Sequence, residues 1–561
     1  MSETHLLQRA IHQLFRDGSA RPRKGRRRAS LIQALEAQRA HIRQICEVSG
    51  VVGLSLAVVD HGETIFQENM GYRDLANEKP VTSDTIFPIA SLTKSFTTAC
   101  INRLRAQDKL AFNDLISTLL PEAKSQDSVV AATITVADIL GHRTGLQKAD
   151  SLWLGANGEV MFDMDQTASI LSQLRPQTSI RSRFLYSNIA FAVLGQLITK
   201  ITGQPYHLYL KEHILEPLGM TRTLVSKGDS LVDDCSLAYS TLENRDPYNV
   251  SLPAPSADGA MGAAGGLRSS VNDLIKFYMA LMRSWQEASR ARREDTAAVK
   301  EQPVFGDAAW LFAPLQIMET PALREKSYAG GWARSQLPTT VGDIGVNPGL
   351  VGDMPILAQG VNSCLALWHQ GSLVGATSFV MLFPETESAV LVLTNTMALN
   401  DAADWIGQLL VETLLDSPYR NDFVKLASLS ADRALKRYIE LTDMIEEGRV
   451  KDGPSRSLSD YTGSYVGLEG LFRILVIEKH GQLNILFQER QSQRYPLQHH
   501  HENTFTWFMS WDDQIRRSRF INAQPAFYFI HFEENSGQEI TTLNWKFDVA
   551  MTEGEDFSKK R

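Results

Sequence analysis

Ser91-Leu92-Thr93-Lys94 places a hydroxyl and an amine three residues apart, and on a helix that spacing projects both onto one face. A serine hydroxyl is a weak nucleophile until a base or a nearby cation helps remove its proton, and a partly buried lysine with a lowered pKa can do this. At a helix start, the N-terminal field would also favour the charge of a tetrahedral intermediate. Tyr186-Ser187-Asn188 sets a phenol and a carboxamide two residues apart. Tyr186 can shuttle a proton, as a base only if its pKa falls from about 10 beside a cation. Asn188 can hold the lysine and donate to a substrate carbonyl. The third segment, His369-Gln370-Gly371-Ser372, closes a strand-like run. Glycine there permits close backbone approach, a strand edge can bind substrate through main-chain hydrogen bonds, and the Ser372 amide can join the Ser91 amide as an oxyanion hole.

Each segment also has a plainer reading by itself. Ser-x-x-Lys arises by chance about twice in a chain of this length and ordinary composition, and serine is a favoured helix cap. A tyrosine at a helix start is often core packing, and a histidine at a strand end is often a half-exposed polar residue. The three in this order are much harder to assign to chance.

The elements that must position them follow from periodicity. Leu31, Ile32, Leu35, Ile42 and Ile45 recur at helical spacing over residues 31–47, giving an amphipathic helix that can lie on a sheet. Residues 51–59 and 63–67 read as a hairpin around Asp60-His61-Gly62. Helices then dominate to about Met282: 92–104 behind Ser91, a short one at 136–140, and 187–201 ending before Gly203. Another runs to Leu281 from Ser270, which with Asp273 resembles a capping box. Strands return at 364–368, 378–383 and 389–393, and a helix follows at 402–415. One α/β sheet thus draws strands from both ends of the domain, with a helical insertion between them. Residues 303–361, weakly periodic and containing Gly and Pro, read as long loops that shape a pocket.

At this point the chain resembles the serine β-lactamase and penicillin-binding protein superfamily, specifically the class C β-lactamase-like branch of esterases, D-amino-acid peptidases and transesterases. The resemblance covers roughly residues 31–415. Besides the three motifs it rests on residues 53–60 before Gly71-Tyr72-Arg73-Asp74, and on Phe87-Pro88-Ile89-Ala90 leading into Ser91. It rests also on residues 134–140 before Gly141-His142-Arg143-Thr144-Gly145-Leu146, and on Gly265-Gly266-Leu267-Arg268-Ser269-Ser270. It implies an antiparallel sheet flanked by helices with a helical subdomain. It implies Ser91 as acylated nucleophile, Lys94 as its activating partner, Tyr186 as general base and acid, and Asn188 as a positioning group, with His369 and Gly371 lining the substrate strand. Class C β-lactamases carry Lys-Thr-Gly where this chain has His-Gln-Gly, which removes the cation expected to bind a β-lactam carboxylate and places ester or amide cleavage ahead.

The remainder of the chain sets the boundaries. With 561 residues, 43% hydrophobic and 21% charged, the composition is that of a globular protein of two to four domains. A net charge of −8 argues against a nucleic-acid binder. Cys46, Cys100, Cys235 and Cys364 form no metal or disulfide spacing and fit a reducing, cytoplasmic setting. Residues 1–18 read as a polar amphipathic helix unlike a signal peptide, no apolar run is long enough to span a membrane, and no cofactor or metal is expected. The basic block from Arg21 to Arg28 reads as a solvated leader. The division expected is a leader at 1–30, a hydrolase domain at 31–420, a helical linker at 421–454 and a smaller all-β domain at 455–561, whose opening at residues 458–465 resembles appended lipocalin-like domains. His499-His500-His501 reads as a solvated turn, because consecutive side chains on extended backbone alternate faces. The expected activity is hydrolysis of a small-molecule or peptide ester or amide through acyl-Ser91. Acyl transfer by the same intermediate and a non-catalytic binding scaffold are the alternatives.

Overall fold

The computed structural model describes residues 20–226, 234–252, 259–294, 304–319, 322–548 and 551–560; the helix expected within residues 1–18 lies outside them. The first sheet is built from β1 (Gly53–Asp60), β2 (Glu63–Asp74), β3 (Lys79–Pro80), β4 (Gln316–Ile317), β5 (Lys326–Ala329), β6 (Trp332–Leu337), β7 (Cys364–Leu373), β8 (Ala376–Phe383) and β9 (Ser388–Thr394). Their spatial order is β3-β2-β1-β9-β8-β7-β6-β5-β4, with every pairing antiparallel. Strands from the two ends of the domain meet in register, Leu54 opposite Thr394 and Val58 opposite Val390. Both faces of β1 are buried, Leu54, Leu56 and Val58 on one side, Ala57 and Val59 on the other, so its sequence reads as an unbroken apolar run rather than an alternating one.

One face is covered by α1 (Ala20–Ala37) and α2 (Arg39–Ser49) together with α6 (Ala402–Leu414); the other packs against α3 (Thr93–Ala106), α4 (Asn188–Thr202) and α5 (Val271–Arg293). The single helix expected over residues 31–47 is two helices. Gln38 N–H donates to the Leu35 carbonyl three residues back, and this tight turn changes the axis before Ile42 and Ile45 are buried. Helix α1 also starts at Ala20, inside the segment expected to be a solvated leader, where arginine and lysine are good helix formers, and Arg28 pairs with Glu63 on β2.

Three further differences bear on the site. His369, Gln370 and Gly371 lie inside β7 rather than at its end, because residues 367–373 pair continuously with β8 and the turn falls at Gly375, with φ +83°. Residues 303–361 are not all loop: β5 and β6 form a buried hairpin about Gly330-Gly331, too short to show a period. Ser270 does cap α5, accepting from the Asp273 amide, but that helix runs on to Arg293.

The second sheet contains β10 (Gly463–Gly467), β11 (Phe472–Lys479), β12 (Gln482–Phe487), β13 (Arg494–Pro496), β14 (Gln498–His501), β15 (Thr504–Thr506), β16 (Phe529–Glu534), β17 (Ile540–Trp545) and β18 (Glu555–Lys559). Apart from β13 and β14, sequence neighbours pair antiparallel, and β10 pairs with β18. β13 and β14 are two halves of one run interrupted at Leu497, the first paired to β12 and the second to β15. The meander therefore closes on itself as a near-barrel, which removes the exposed edges an open sheet would carry. Phe472, Phe487, Trp507 and Trp545 pack together inside it, the Phe487 and Trp545 rings stacked at 4.8 Å. The histidine run belongs to this sheet and not to a turn. A bulge between His499 and His501 breaks the alternation and brings the Nδ1 atoms of His500 and His501 to 2.6 Å.

Helix α7 (Phe423–Glu446) joins the two sheets, burying Phe423 and Ala427 beside α6 and Tyr438, Leu441 and Ile445 in the core shared with the near-barrel.

Candidate active site

The chain reaches Ser91 through Phe87–Pro88, a two-residue strand paired with Arg268–Ser269. Ala90 then takes a left-handed φ of +47°, which is strained for a residue with a Cβ, and Ala90–Leu92 form a single 3₁₀ turn before α3 begins at Thr93. Ser91 consequently stands one turn ahead of α3 and caps nothing. Lys94 is fully buried. Its Nζ lies 3.0 Å from Ser91 Oγ, 2.7 Å from Asn188 Oδ1 and 2.8 Å from the Ala264 carbonyl oxygen. Burial disfavours the ammonium and brings the Lys94 pKa down to about 7, with the charge of Asp150 opposing the fall.

Asn188 opens α4, whose cap is Ser187 accepting from the Ala190 amide. Its Oδ1 faces Lys94 and its Nδ2 donates to Asp150 Oδ1 at 3.0 Å, so the two partners fix the direction of the carboxamide. The Tyr186 ring centroid is 4.8 Å from Lys94 Nζ. The Tyr186 hydroxyl is buried beside the Ser91 hydroxyl, and among the described residues it makes no hydrogen bond of standard geometry. Burial drives its pKa up, and the nearby Ser91 hydroxyl opposes the rise. A base role needs the opposite shift. Burial thus brings Lys94 towards a pKa near neutrality and moves Tyr186 away from it.

The third segment is split between two faces and an edge. His369 is buried, with Nδ1 2.5 Å from the Gln370 carbonyl and Nε2 3.1 Å from the Tyr328 hydroxyl. Only one tautomer satisfies both: Nδ1–H donates and Nε2 accepts from tyrosine. Burial and the Lys94 charge bring the imidazole pKa down to about 3, keeping it neutral. His369 therefore backs Tyr186 and Tyr328 instead of lining the substrate cleft. Gly371 does not line it either. A Cβ there would sit 2.3 Å from Ser378 Oγ and 2.6 Å from the Ile89 carbonyl, so glycine lets β7 close on the turn that carries Ser91. Ser372 and Leu373 do reach the wall of a solvent-open cleft of about 660 Å³ that also takes in Ser91, Asn188, Trp153 and Arg268. The β6 ladder ends at Ala333 opposite Trp368, leaving the backbone of residues 370–373 without a strand on that side.

Sequence reasoning passed over three side chains. His142, inside a motif quoted only for resemblance, accepts the Ser187 amide at Nδ1, and its ring lies 4.3 Å from that of Tyr186. Burial holds it neutral, well below the usual histidine range. Tyr328 comes from the segment read as loop. Asp150 carried no pattern at all.

Comparison with known proteins bears on the family of the chain. Residues 38–413 match the beta-lactamase family, and residues 448–559 match a domain of unknown function, DUF3471. An unguisins hydrolase of Aspergillus campestris is 25% identical over 492 residues, 82% of this chain and 80% of its own length. A D-aminopeptidase of Brucella anthropi is 30% identical over 47% of each chain. The D-alanyl-D-alanine-carboxypeptidase/endopeptidase AmpH of Escherichia coli is 26% identical over 44% of this chain and 62% of its own. The solved structure of the octameric penicillin-binding protein homologue from Pyrococcus abyssi covers 94% of this chain and 99% of that one at TM-score 0.53 and 19% identity, a likeness of fold. With the family match running through more than half of its residues, the chain belongs to the beta-lactamase family and is a serine hydrolase of that type.

Proposed function

We propose that this chain cleaves the amide bond of a short peptide, or a comparable ester, by acylating Ser91 with Lys94 as general base. The observation that carries the reading is the set of partners around Lys94. The Asn188 Oδ1 and the Ala264 carbonyl can only accept, so a neutral amine gives them its two N–H groups and turns its lone pair to the Ser91 hydroxyl. The Ser91 proton passes to Nζ as Oγ bonds to the substrate carbonyl carbon. The resulting oxyanion is held by the Ser91 and Ser372 amides. As the bond to the leaving group breaks, Tyr186 gives that group its phenolic proton and takes the one held by Lys94. Water then enters by the same route in reverse and releases the acid from Ser91. Asn188 keeps Lys94 in place throughout.

Two of the relatives are named for D-amino-acid substrates and a third for hydrolysis of unguisins, which favours a peptide with a D-residue on the acyl side. The neutral His369 supports weak action on β-lactams, since it offers no cation for their carboxylate. An alcohol or amine acceptor would use the same first half-reaction, and transfer remains the second outcome of the test. The compartment belongs to the proposal too: the wide separation of the four cysteines in sequence supports the cytoplasm. Among the described residues no helix is long and apolar enough to cross a membrane.

The test is intact-protein mass spectrometry of wild type and Ser91→Ala with D- and L-aminoacyl anilides, activated esters and a β-lactam, with released product assayed in the same tubes. A Ser91-dependent adduct or product, larger for the D-series, supports the reading. Adduct lifetime with and without added amine separates hydrolysis from transfer. Equal product from Ser91→Ala refutes it.

A further inference from the structure

Asp150 is a half-buried residue whose carboxylate the acylation chemistry does not use. Its Oδ1 accepts from Asn188 Nδ2 at 3.0 Å and from Trp153 Nε1 at 3.2 Å. The residue before it, Ala149, has a left-handed φ of +52°, a conformation that its own sequence does not favour. What holds that backbone comes from the turns and loops of the C-terminal near-barrel region. Asp548 Oδ2 accepts the Lys148 amide at 2.8 Å and the Ala149 amide at 3.1 Å. Seven residues after Ala149, Gln493 brackets Ala156, accepting its N–H at 2.7 Å and donating to its carbonyl at 3.0 Å. Gly155 leaves no room for a side chain beside that glutamine, because a Cβ would meet Gln493 Oε1 at 2.6 Å. Arg490 and Gln488 then donate to the Val160 and Met161 carbonyls. Between these anchors the segment delivers Trp153 and Val160 to the wall of the Ser91 cleft.

We propose that Asp150 is a positioning residue for the Asn188–Lys94 pair and that the C-terminal near-barrel, through Asp548 and Gln493, is the clamp that keeps segment 148–161 in the catalytic arrangement. An amide side chain reads equally well with either end facing the lysine. Asp150 removes that freedom, because a carboxylate accepts only the Nδ2 end and leaves Oδ1 for Nζ. Its charge also stabilises the Lys94 ammonium. The groups facing Lys94 from the elements around it are Ser91 on its own turn, Tyr186 and Asn188 at the start of α4, Asp150 and His142 from the segments before it, and His369 on β7. Among them Asp150 is the one that raises the lysine pKa, while the neutral His142 and His369 take up the Lys94 charge as a lowering of their own. The near-barrel is on this account part of the hydrolytic apparatus without contributing a reacting atom.

The role of Asp150 rests on acylation at Ser91; the clamp does not, and the experiment separates them. In the full chain, Asp150→Asn, Asp150→Ala, Asp548→Ala and Gln493→Ala are compared by thermal melting, by hydrogen exchange over residues 148–161, and by the pH dependence of Ser91 modification with a fluorophosphonate. Asp150→Asn keeps an acceptor and loses the charge, so the acid limb of modification moves to lower pH with a rate change under about tenfold. Asp150→Ala loses the acceptor as well and slows modification about 100-fold at neutral pH. Asp548→Ala and Gln493→Ala raise exchange in 148–161 and slow modification while the rest of the chain melts as before. An unshifted acid limb in Asp150→Asn overturns the positioning role. Unchanged exchange in both Asp548→Ala and Gln493→Ala overturns the clamp. A wild type whose Ser91 reacts no faster than its surface serines refutes the proposed function and the Asp150 role together, and leaves exchange to decide the clamp.

Discussion

Two fully buried ionisable groups sit on opposite sides of β7, and they have been treated in opposite ways. On the side of His369, Lys94 is bonded to two groups that only accept and to a serine hydroxyl at a solvent-open cleft. On the side of the neighbouring Gln370, Asp404 receives three amide donors, from Asn347 at 2.9 Å, Gln370 at 2.9 Å and Gln408 at 3.0 Å, in a region sealed by α6. Burial displaces both pKa values towards the neutral form, lysine down and aspartic acid up. The carboxylate is compensated by donors that fit it and by nothing that can react. The lysine is compensated incompletely, and the partner left over is the group that has to lose a proton. A buried charge is thus a poor guide to function until its partners are counted by what each can give or take.

The sharpest way to break this comparison is to delete each group. Lys94→Met is expected to lower turnover by about 10³-fold or more while leaving the protein folded. The sign of the accompanying pH effect follows from linkage. The folded-state pKa of about 7 lies below the ordinary value of 10.5, so between those values the unfolded chain binds more protons and stability rises with pH. Urea unfolding at pH 7 and pH 9 should show that rise in wild type and a flatter profile in Lys94→Met. Asp404→Ala reverses the pattern: stability falls by about 3–5 kcal/mol because three buried amides lose their acceptor, and Ser91 modification in the folded fraction stays within about threefold of wild type. Loss of modification in folded Asp404→Ala would erase the distinction between the two sides of the strand.

Tyr186→Phe is the next largest effect and sharpens the lysine side alone. The phenol is held protonated by burial, and the Ser91 hydroxyl beside it keeps Lys94 as a partner, so its removal leaves no orphaned group behind and melting should be unchanged. A proton donor to the leaving group matters most where that group is a poor one. Turnover of amides should fall by about 10²-fold and that of activated esters by much less. An equal fall for both would move Tyr186 to the deprotonation of Ser91, the role that the sequence first assigned to it.

What the sequence could reveal divides along the same line. Ser91, Lys94, Tyr186 and Asn188 were recognisable because their spacing within short segments is chemically meaningful, and the apolar runs of β1, β8 and β9 exposed the sheet that carries them. Asp150 and His142 were invisible for the opposite reason. Each meets the site through a residue distant in sequence, Asn188 for Asp150 and Ser187 for His142, and neither sits at a spacing that any local period would single out. The β5–β6 hairpin was too short to betray its alternation, and the turn at Gln38 rests on one local hydrogen bond to Leu35 inside a helical pattern. The extent of β7 was missed because Gln370 and Gly371 are poor strand formers, kept extended only by their pairing with β8.

His369 tests that lesson with the smallest effect. By sequence it belonged to the substrate strand; by position it is a neutral ring whose Nε2 takes a hydrogen bond from Tyr328. Tyr328→Phe leaves that acceptor buried and unpaired, at a cost of about 1 kcal/mol in stability. Because neither ring touches the cleft, the kcat and KM of any substrate accepted by the wild type should change less than threefold. The imidazole could respond only by turning, and the bond from Nδ1 to the Gln370 carbonyl resists this. A KM raised tenfold with stability intact would return His369 to the substrate side of the strand. It would also mean that burial of a polar group with both nitrogens satisfied does not suffice to call it structural.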